Sequence, residues 1–499
     1  MQAGTKAAGA QDAATGTRDQ DCDVLVVGMG FSGPVAALRA LECGAKVIAI
    51  DKQARGWWTP GGAMMIHSEL HIAFRSMSEP ESVLIREMNA VTDGMIPRDL
   101  LETTARHAGR AMQWIMGHGA EFEEPAGSEF RFKPQPPSRV WARIKPGGIY
   151  DLVNYGLKKL VLKLEAKIQQ LGGRILYETK AVKVLTDDRG GVTGLTVQDG
   201  SGRFNIRAKS VILCTGGYEQ NNEMLVKYLG PRADEIIRFV GPWGTGDAYR
   251  LCAELGAQIR SMNYAALSHY YSIDARQKED LLGAYLEAPG IQGILVNRSG
   301  QRFVDEGLGP RYVGSLMTKT SIEISGWIII DHAIYSIPEV KARVEDVRTY
   351  GGTIHTADTL AELAQMAGIS PRLAQTVAEY DQAVADGKTA ELAVPRSVPK
   401  QTHALSGPAR TGIRRLAQVP YLAIPFLPGL VATYGGFLVN PQGQVLDWDK
   451  RVIPGLYAAG LSMNGSTTGG AENPAGAYVG FQATALIFGL LAAEHAARA

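Results

Sequence analysis

The chain has 499 residues, 45% of them hydrophobic and 20% charged, with 51 Lys and Arg against 50 Asp and Glu for a net charge of +1. That length allows two or three cores, and the near-neutral balance excludes an electrostatic case for nucleic acid or an anionic membrane as partner. Glycine is in excess at 58 residues, where ordinary usage of about 7% would give roughly 35. Tight turns and close backbone approaches to a ligand are therefore expected.

Residues 1–20, MQAGTKAAGAQDAATGTRDQ, are small and polar without an apolar stretch, so a disordered tail is expected and not a signal peptide. The next segment, DVLVVGMGFSGPVAALRALECGAKVIAID, opens with a continuous apolar run at Val24 to Val27, the pattern of a strand buried on both faces of a parallel sheet. Gly28, Gly30 and Gly33 follow in GxGxxG spacing, with Phe31 and Ser32 between them, and open an alanine- and leucine-rich helix. A second strand, KVIAID, ends on Asp51, followed by Lys52, about 20 residues on, where a dinucleotide fingerprint places its ribose acceptor. The three glycines serve different ends. Gly28 allows the turn, Gly30 lets the backbone approach a pyrophosphate, and Gly33 allows close helix–strand packing, with the helix N-terminus facing the phosphates.

Further along, RILYETKAVKVLTDDRGGVTGLTVQDG reads as a strand and a hairpin, and AKSVILCTGGYEQN as a strand ending on Thr215, Gly216 and Gly217. From about Met262 to Ala417 the texture changes to mixed strands (GILVN, GWIIID) and amphipathic helices (TADTLAELAQMAG). The glycine-rich stretch from 452 to 489 closes the chain. Its apolar run from Tyr478 to Ala493 is shorter than the roughly 20 residues of a membrane span and is interrupted by Gln482, Thr484 and Gly489, so a buried helix is expected. Cys22, Cys43, Cys214 and Cys252 form no CxxC, which excludes zinc-knuckle and dithiol readings and fits a reducing, cytoplasmic setting.

These segments together resemble the flavoprotein family of fumarate reductase, succinate dehydrogenase and 3-ketosteroid dehydrogenase. The resemblance rests on GMGFSG, CTGGYEQN, GTGDAYRLCAELGA, GQRFVDE and GLYAAG, and covers nearly the whole chain after residue 20. It implies an α/β fold: a doubly wound, Rossmann-like FAD-binding domain in two pieces, 21–261 and 418–499, with an inserted α+β capping domain at 262–417. It implies FAD as cofactor, held by Gly28, Gly30, Phe31, Ser32, Gly33, Asp51, Lys52, Gly61, Gly62, Ala181, Val182, Thr215, Gly216, Gly217, Asp247, Gly460, Ala475 and Gly476. His67 and His71 lie near the point where some relatives attach FAD covalently, but GGAMMIHSELH departs from that pattern. No second GxGxxG follows a strand, so a separate electron acceptor or donor is implied.

The resemblance also implies a reaction in which hydride moves between a C–C bond and flavin N5 while a protein group moves the proton. Fumarate-type members hold a dicarboxylate with a histidine and a C-terminal arginine. Here LVATYGGFLVN has Tyr434 where the histidine would stand, and no Lys or Arg occurs from Gly455 to Leu491. The ketosteroid branch places a basic tyrosine in a Pro-Tyr-Val context after GxRFVxE; the chain reads EGLGPRYV, so Tyr312 matches after a short insertion. Tyr478 and the N–H of Gly480 are the expected carbonyl donors, although Asn473 aligns nearest the branch's tyrosine. The expected function is introduction of an α,β double bond into a cyclic ketone, a 3-ketosteroid or a substituted cyclohexanone. One alternative is reduction of an unsaturated carboxylate with Arg311 as proton donor; another is a non-redox FAD protein such as a hydratase.

Overall fold

The computed structural model describes residues 18–54, 63–66, 81–82, 85–86, 89, 94–123, 130–131, 140–144, 157–238, 241–267, 269–274, 286–320, 324–398, 402–403, 412–464 and 481–499. The chain begins with β1 (Gln20–Val27), α1 (Ser32–Glu42) and β2 (Val47–Ile50), and continues through α2 (Arg98–Gly117) and α3 (Leu157–Gln170) to β3 (Arg174–Leu176). Three antiparallel strands come next, β4 (Lys180–Thr186), β5 (Val192–Asp199) and the long β6 (Gly202–Leu213). The middle contributes β7 (His269–Ser272), β8 (Ile294–Val296), α4 (Pro310–Thr320), β9 (Gly326–Ile330), β10 (His355–Ala357) and β11 (Tyr421–Leu430). The last elements are β12 (Gln444–Leu446), β13 (Val452–Ala458) and α5 (Phe481–Ala496).

The first sheet runs β12–β13–β6–β1–β2–β3, with β4 and β5 branching from β6. Its centre is parallel, as β13, β6, β1, β2 and β3 all point one way. Val24 to Val27 are buried at 6% exposure or less, because helices and loops cover both faces of a parallel sheet. β6 changes partners along its length: Gly202 to Arg207 pair antiparallel with β5, and Val211 to Leu213 pair parallel with β13. α1 and α5 pack together, and a Cβ on Gly489 would come to 3.0 Å of the Val35 side chain. The expected buried helix is thus α5, in which Gln482 to Leu490 are all buried and Gly489 permits the close crossing. Among the described residues, no helix is long and apolar enough to cross a membrane.

The second sheet gathers around β11. It pairs antiparallel with β7, β9 and β10 and parallel with Ile237–Arg238, while β8 extends from β9. β11 lies beyond the expected boundary at 417, and Ile237–Arg238 lies ahead of the one at 262, so this sheet draws strands from both flanking segments.

Candidate active site

Because the central strands are parallel and in register, Val27, Ile50, Leu213 and Ala458 end at one edge of the sheet. The loops that follow them converge there, outside the carboxyl ends of the strands, where ligands of open α/β sheets bind. They line one cleft, which takes in Gly28, Asp51, Thr215 to Gly217 and Gly460.

The glycines of the fingerprint have distinct steric causes. Gly28 has φ +97°, and a Cβ there would overlap the Cys214 carbonyl. A Cβ on Gly33 would overlap the Gly28 carbonyl, well inside the 3.0 Å that real Cβ atoms keep. Gly30, Phe31 and Ser32 line the cleft. α1 has neither a side-chain cap nor an acidic residue in its first turn, an arrangement that suits its leading N–H groups to an anion. Gly460 closes the opposite wall: at φ +66°, a Cβ would come to 2.5 Å of Ser32 Oγ.

Asp51 is only 7% exposed. Its Oδ2 accepts the Met29 N–H at 2.6 Å and its Oδ1 the Gln53 N–H at 2.9 Å. Oδ2 also accepts from Gln53 Nε2 at 3.4 Å, so the carboxylate stays rigid while Oδ1 keeps a lone-pair site for the cleft. Lys52 reaches across to Asp247 at 2.8 Å and to the Thr245 hydroxyl. Burial alone would raise the Asp247 pKa, but the Lys52 hydrogen bond and charge, with Arg250 and Thr245, bring it down to about 2. Lys52 and Asp247 therefore lock together as a pair at the cleft wall. Ala181 lines the cleft, whereas Val182 does not; it sits at an irregularity in the β4–β5 ladder, between the Ala181 and Lys183 pairings.

Glu219 was not among the sequence-derived candidates, although it follows the Gly216-Gly217 pair directly. It is 4% exposed and lines the cleft. Its Oε1 accepts both the Thr433 N–H at 2.8 Å and the Thr433 hydroxyl at 2.9 Å. Burial pushes its pKa upward, partly offset by those donors. Trp243, also not foreseen, stands on the same wall with Gly241 and Gly244.

On the second-sheet side, GQRFVDE is a structural anchor. Glu306 is fully buried, accepts the Leu295 N–H at 2.9 Å, and pairs with Arg302 at 2.6 Å. Asp305 accepts from the Gly307 and Ser397 N–H groups, both at 2.9 Å. These bonds fix the start of α4. Gly314 allows that helix to pack tightly, since a Cβ there would come to 2.8 Å of Leu267 Cβ. Tyr312, Leu316 and Lys319 share the other face, by their i, i+4, i+7 spacing. Tyr312 is half-buried, and the Lys319 ammonium lies 5.4 Å from the centre of the Tyr264 ring. Tyr264 in turn packs against the cluster of Ala266, Ala432 and Tyr434, as does Leu461, and Ala432 and Leu461 line the cleft. Tyr434 is buried at 1% exposure, and its N–H donates to the Tyr264 carbonyl at 2.9 Å. Gly61, Gly62, Ala475, Gly476, Tyr478, Gly480 and the Arg311 side chain lie outside the described residues, as do Asn473, His67 and His71.

Residues 23–477 match a family described as FAD binding domain. The chain belongs to that family. This FAD-binding protein is 28% identical over 492 residues to the fumarate reductase (cytochrome) of Shewanella frigidimarina, a match covering 95% of this chain and 77% of the relative. It is 29% identical over 457 residues to the urocanate reductase of Eggerthella lenta, covering 88% and 69%. Its fold matches the open conformation of a flavocytochrome c3 fumarate reductase with a TM-score of 0.73 at 23% identity, over 97% of this chain and 79% of that one. It matches 3-ketosteroid delta1-dehydrogenase from Sterolibacterium denitrificans with a TM-score of 0.74 at 20% identity, over 96% and 100%.

The FAD-binding protein is accordingly an FAD-dependent oxidoreductase acting on CH–CH groups, and this stands against the hydratase alternative. The cleft fits the cofactor. Gly28 and Gly33 let the turn pack backbone to backbone against β6 and α1, which brings Gly28, Gly30, Phe31 and Ser32, at the uncapped start of α1, to the cleft wall.

Proposed function

We propose that this oxidoreductase interconverts a saturated cyclic ketone and its α,β-unsaturated form, working as a dehydrogenase on a ring substrate such as a 3-ketosteroid or a substituted cyclohexanone. The supporting observation is the apolar and aromatic wall of Val431, Ala432 and Leu461, backed by Tyr264 and Tyr434. Among the described residues, the cations on the cleft are Lys52, engaged by Asp247, and Lys180 beside Ala181, both at the end reached from β2 and β4. With no Lys or Arg from Gly455 to Leu491, a bare dicarboxylate would lack the bidentate partners that hold one.

Bound FAD supplies the two-electron oxidation or reduction of the C–C bond. The residues assigned to it are those of the glycine cradle, together with Asp51, Ala181, Thr215 to Gly217 and Gly460, and with Gly61, Gly62, Ala475 and Gly476 from the sequence match. Tyr312 is the assigned base, its Oη taking the proton from the carbon next to the carbonyl. A tyrosine, with an ordinary pKa near 10, suits that role better than an arginine above 12. Tyr478 and the Gly480 N–H are assigned to the carbonyl oxygen, where they would stabilise charge that develops as the proton leaves. We also propose that 21–261 with 418–499 form the cofactor domain and 262–417 the cap, with Ile237–Arg238 and β11 crossing between them.

A second reading, reduction of an unsaturated carboxylate with Arg311 as proton donor, is favoured by the similarity to the fumarate and urocanate reductases. One anaerobic experiment separates the two. A panel of cyclic ketones should bleach the bound flavin while succinate leaves it oxidised. Reoxidation of the reduced enzyme by fumarate at ordinary enzymatic rates of about 1–10³ s⁻¹ would transfer the assignment to the carboxylate reading.

A further inference from the structure

Glu219 is a buried acid on the cofactor cleft that the proton chemistry above does not use. Three glycine-rich segments meet at its carboxyl group. A Cβ on Gly217 would overlap Oε1 and the Thr433 hydroxyl, and a Cβ on Gly244 would overlap Oε2. The glycines at 217 and 244 thus make room for this carboxyl group, which is held at one orientation.

The hydrogen bonds around it run in one direction. Tyr218 N–H donates to the Thr433 hydroxyl at 3.2 Å, and that hydroxyl has one proton, which goes to Glu219 Oε1 at 2.9 Å. The Thr433 N–H adds a second donor to the same oxygen at 2.8 Å. Oε1 is saturated as an acceptor. Oε2 lies on the Gly244 side, and both residues line the cleft. Among the described residues, the groups acting on the acid are neutral donors with no cation among them, and the titratable neighbours that feel its charge are the phenols of Tyr218 and Tyr249. Among the described residues a carboxylate so placed meets no counter-charge, whereas a carboxylic acid needs only one further acceptor.

We propose that Glu219 is protonated on Oε2 and donates that hydrogen bond to the FAD in the cleft, which makes it a residue that sets the redox properties of the cofactor. Thr433 is its positioning residue, fixing which oxygen carries the proton. This assignment depends on the cofactor and not on the substrate: it stands whether the enzyme handles a ketone or a carboxylate.

The test uses the holoenzyme, with Glu219→Gln as the neutral isostere that keeps a donor and Glu219→Ala as the variant that loses it. Reduced-minus-oxidised infrared difference spectra of the wild type should show the C=O stretch of a protonated carboxyl shifting with the redox state of the flavin. Glu219→Gln should lack that band. Its ratio of affinities for reduced over oxidised flavin, read from the midpoint potential, should stay within about threefold of wild type. Glu219→Ala should move that ratio tenfold or more, which is about 30 mV for a two-electron couple. Three results would each overturn the proposal: identical difference spectra for wild type and Glu219→Gln; a tenfold gain for reduced flavin in Glu219→Gln, which would mean that the wild type carries a charge; or a flavin-loaded Glu219→Ala with the wild-type potential. Should Glu219→Ala fail to hold flavin, the two Glu219→Gln measurements still decide.

Discussion

The same substitution, glycine to alanine, should have opposite effects at two helical positions of this protein. In a helix interior alanine is favoured over glycine by roughly 1 kcal/mol, because glycine loses more backbone freedom on folding. Gly117, in the last turn of α2, has nothing within 4 Å of the position its Cβ would take. Gly117→Ala should therefore be neutral or stabilising by about 0.5–1 kcal/mol. At Gly33 the new Cβ would overlap the Gly28 carbonyl, with the Gly28 carbonyl carbon next at 2.9 Å. Backbone in a turn at φ +97° cannot swing aside as a long side chain can. Overpacking costs about 1–3 kcal/mol where side chains yield and more where they do not, so the clash outweighs the propensity gain. If about 3 kcal/mol falls on the cradle, FAD affinity drops roughly 100-fold. Flavin content after dialysis and the thermal midpoint, measured on both variants beside the wild type, provide the comparison. A Gly33→Ala protein with full flavin and an unchanged midpoint would refute the reading of the fingerprint as sterically closed.

Three further outcomes are expected. Tyr312→Phe should slow flavin reduction by a cyclic ketone about 10²–10⁴-fold with little change in affinity, and Arg311→Lys should be milder; stopped-flow absorbance shows which, and the reverse order would make the arginine the proton carrier. Asp247 has its folded pKa lowered to about 2, so its stabilisation is present above its ordinary value of 3.8 and lost as pH falls towards 2; Asp247→Asn should flatten that acid limb in pH-dependent melting, and an unchanged limb would contradict the Lys52 pairing. His118 accepts from Lys167 on Nδ1 and meets Glu42 through Nε2, each at 2.9 Å, and burial followed by Lys167 lowers its pKa. Its stabilisation is present above about 6.5 and declines as pH falls through the lowered value, so His118→Gln should lessen the loss of stability on acidification.

The parallel core was legible because strands buried on both faces leave a continuous apolar run, as at Val24 to Val27, and the fingerprint glycines are local in sequence. β11 was not legible, although it is the hub of the second sheet. It carries Pro425 and Pro428, and proline within a run argues against a central strand because it cannot donate to the ladder; in the structure these residues stand opposite Trp327 and Tyr270. Lys52 was read as a cofactor contact, and the structure adds its pairing with Asp247, a partner 195 positions away that no local pattern encodes. Glu219 had its motif quoted in full, but burial by Thr433 and Gly244 belongs to the tertiary structure alone.

The exchange of partners along β6 has a consequence for biosynthesis. Its first half is paired at once by the adjacent hairpin, but the edge at Val211 to Leu213 is completed by β13, which begins at Val452. At translation rates of about 5–20 residues per second, roughly 10–50 s separate the two strands. During that interval the nascent chain holds an open strand edge and a cradle lacking its Gly460 wall, so the cofactor is enclosed only after the entire second sheet has emerged from the ribosome.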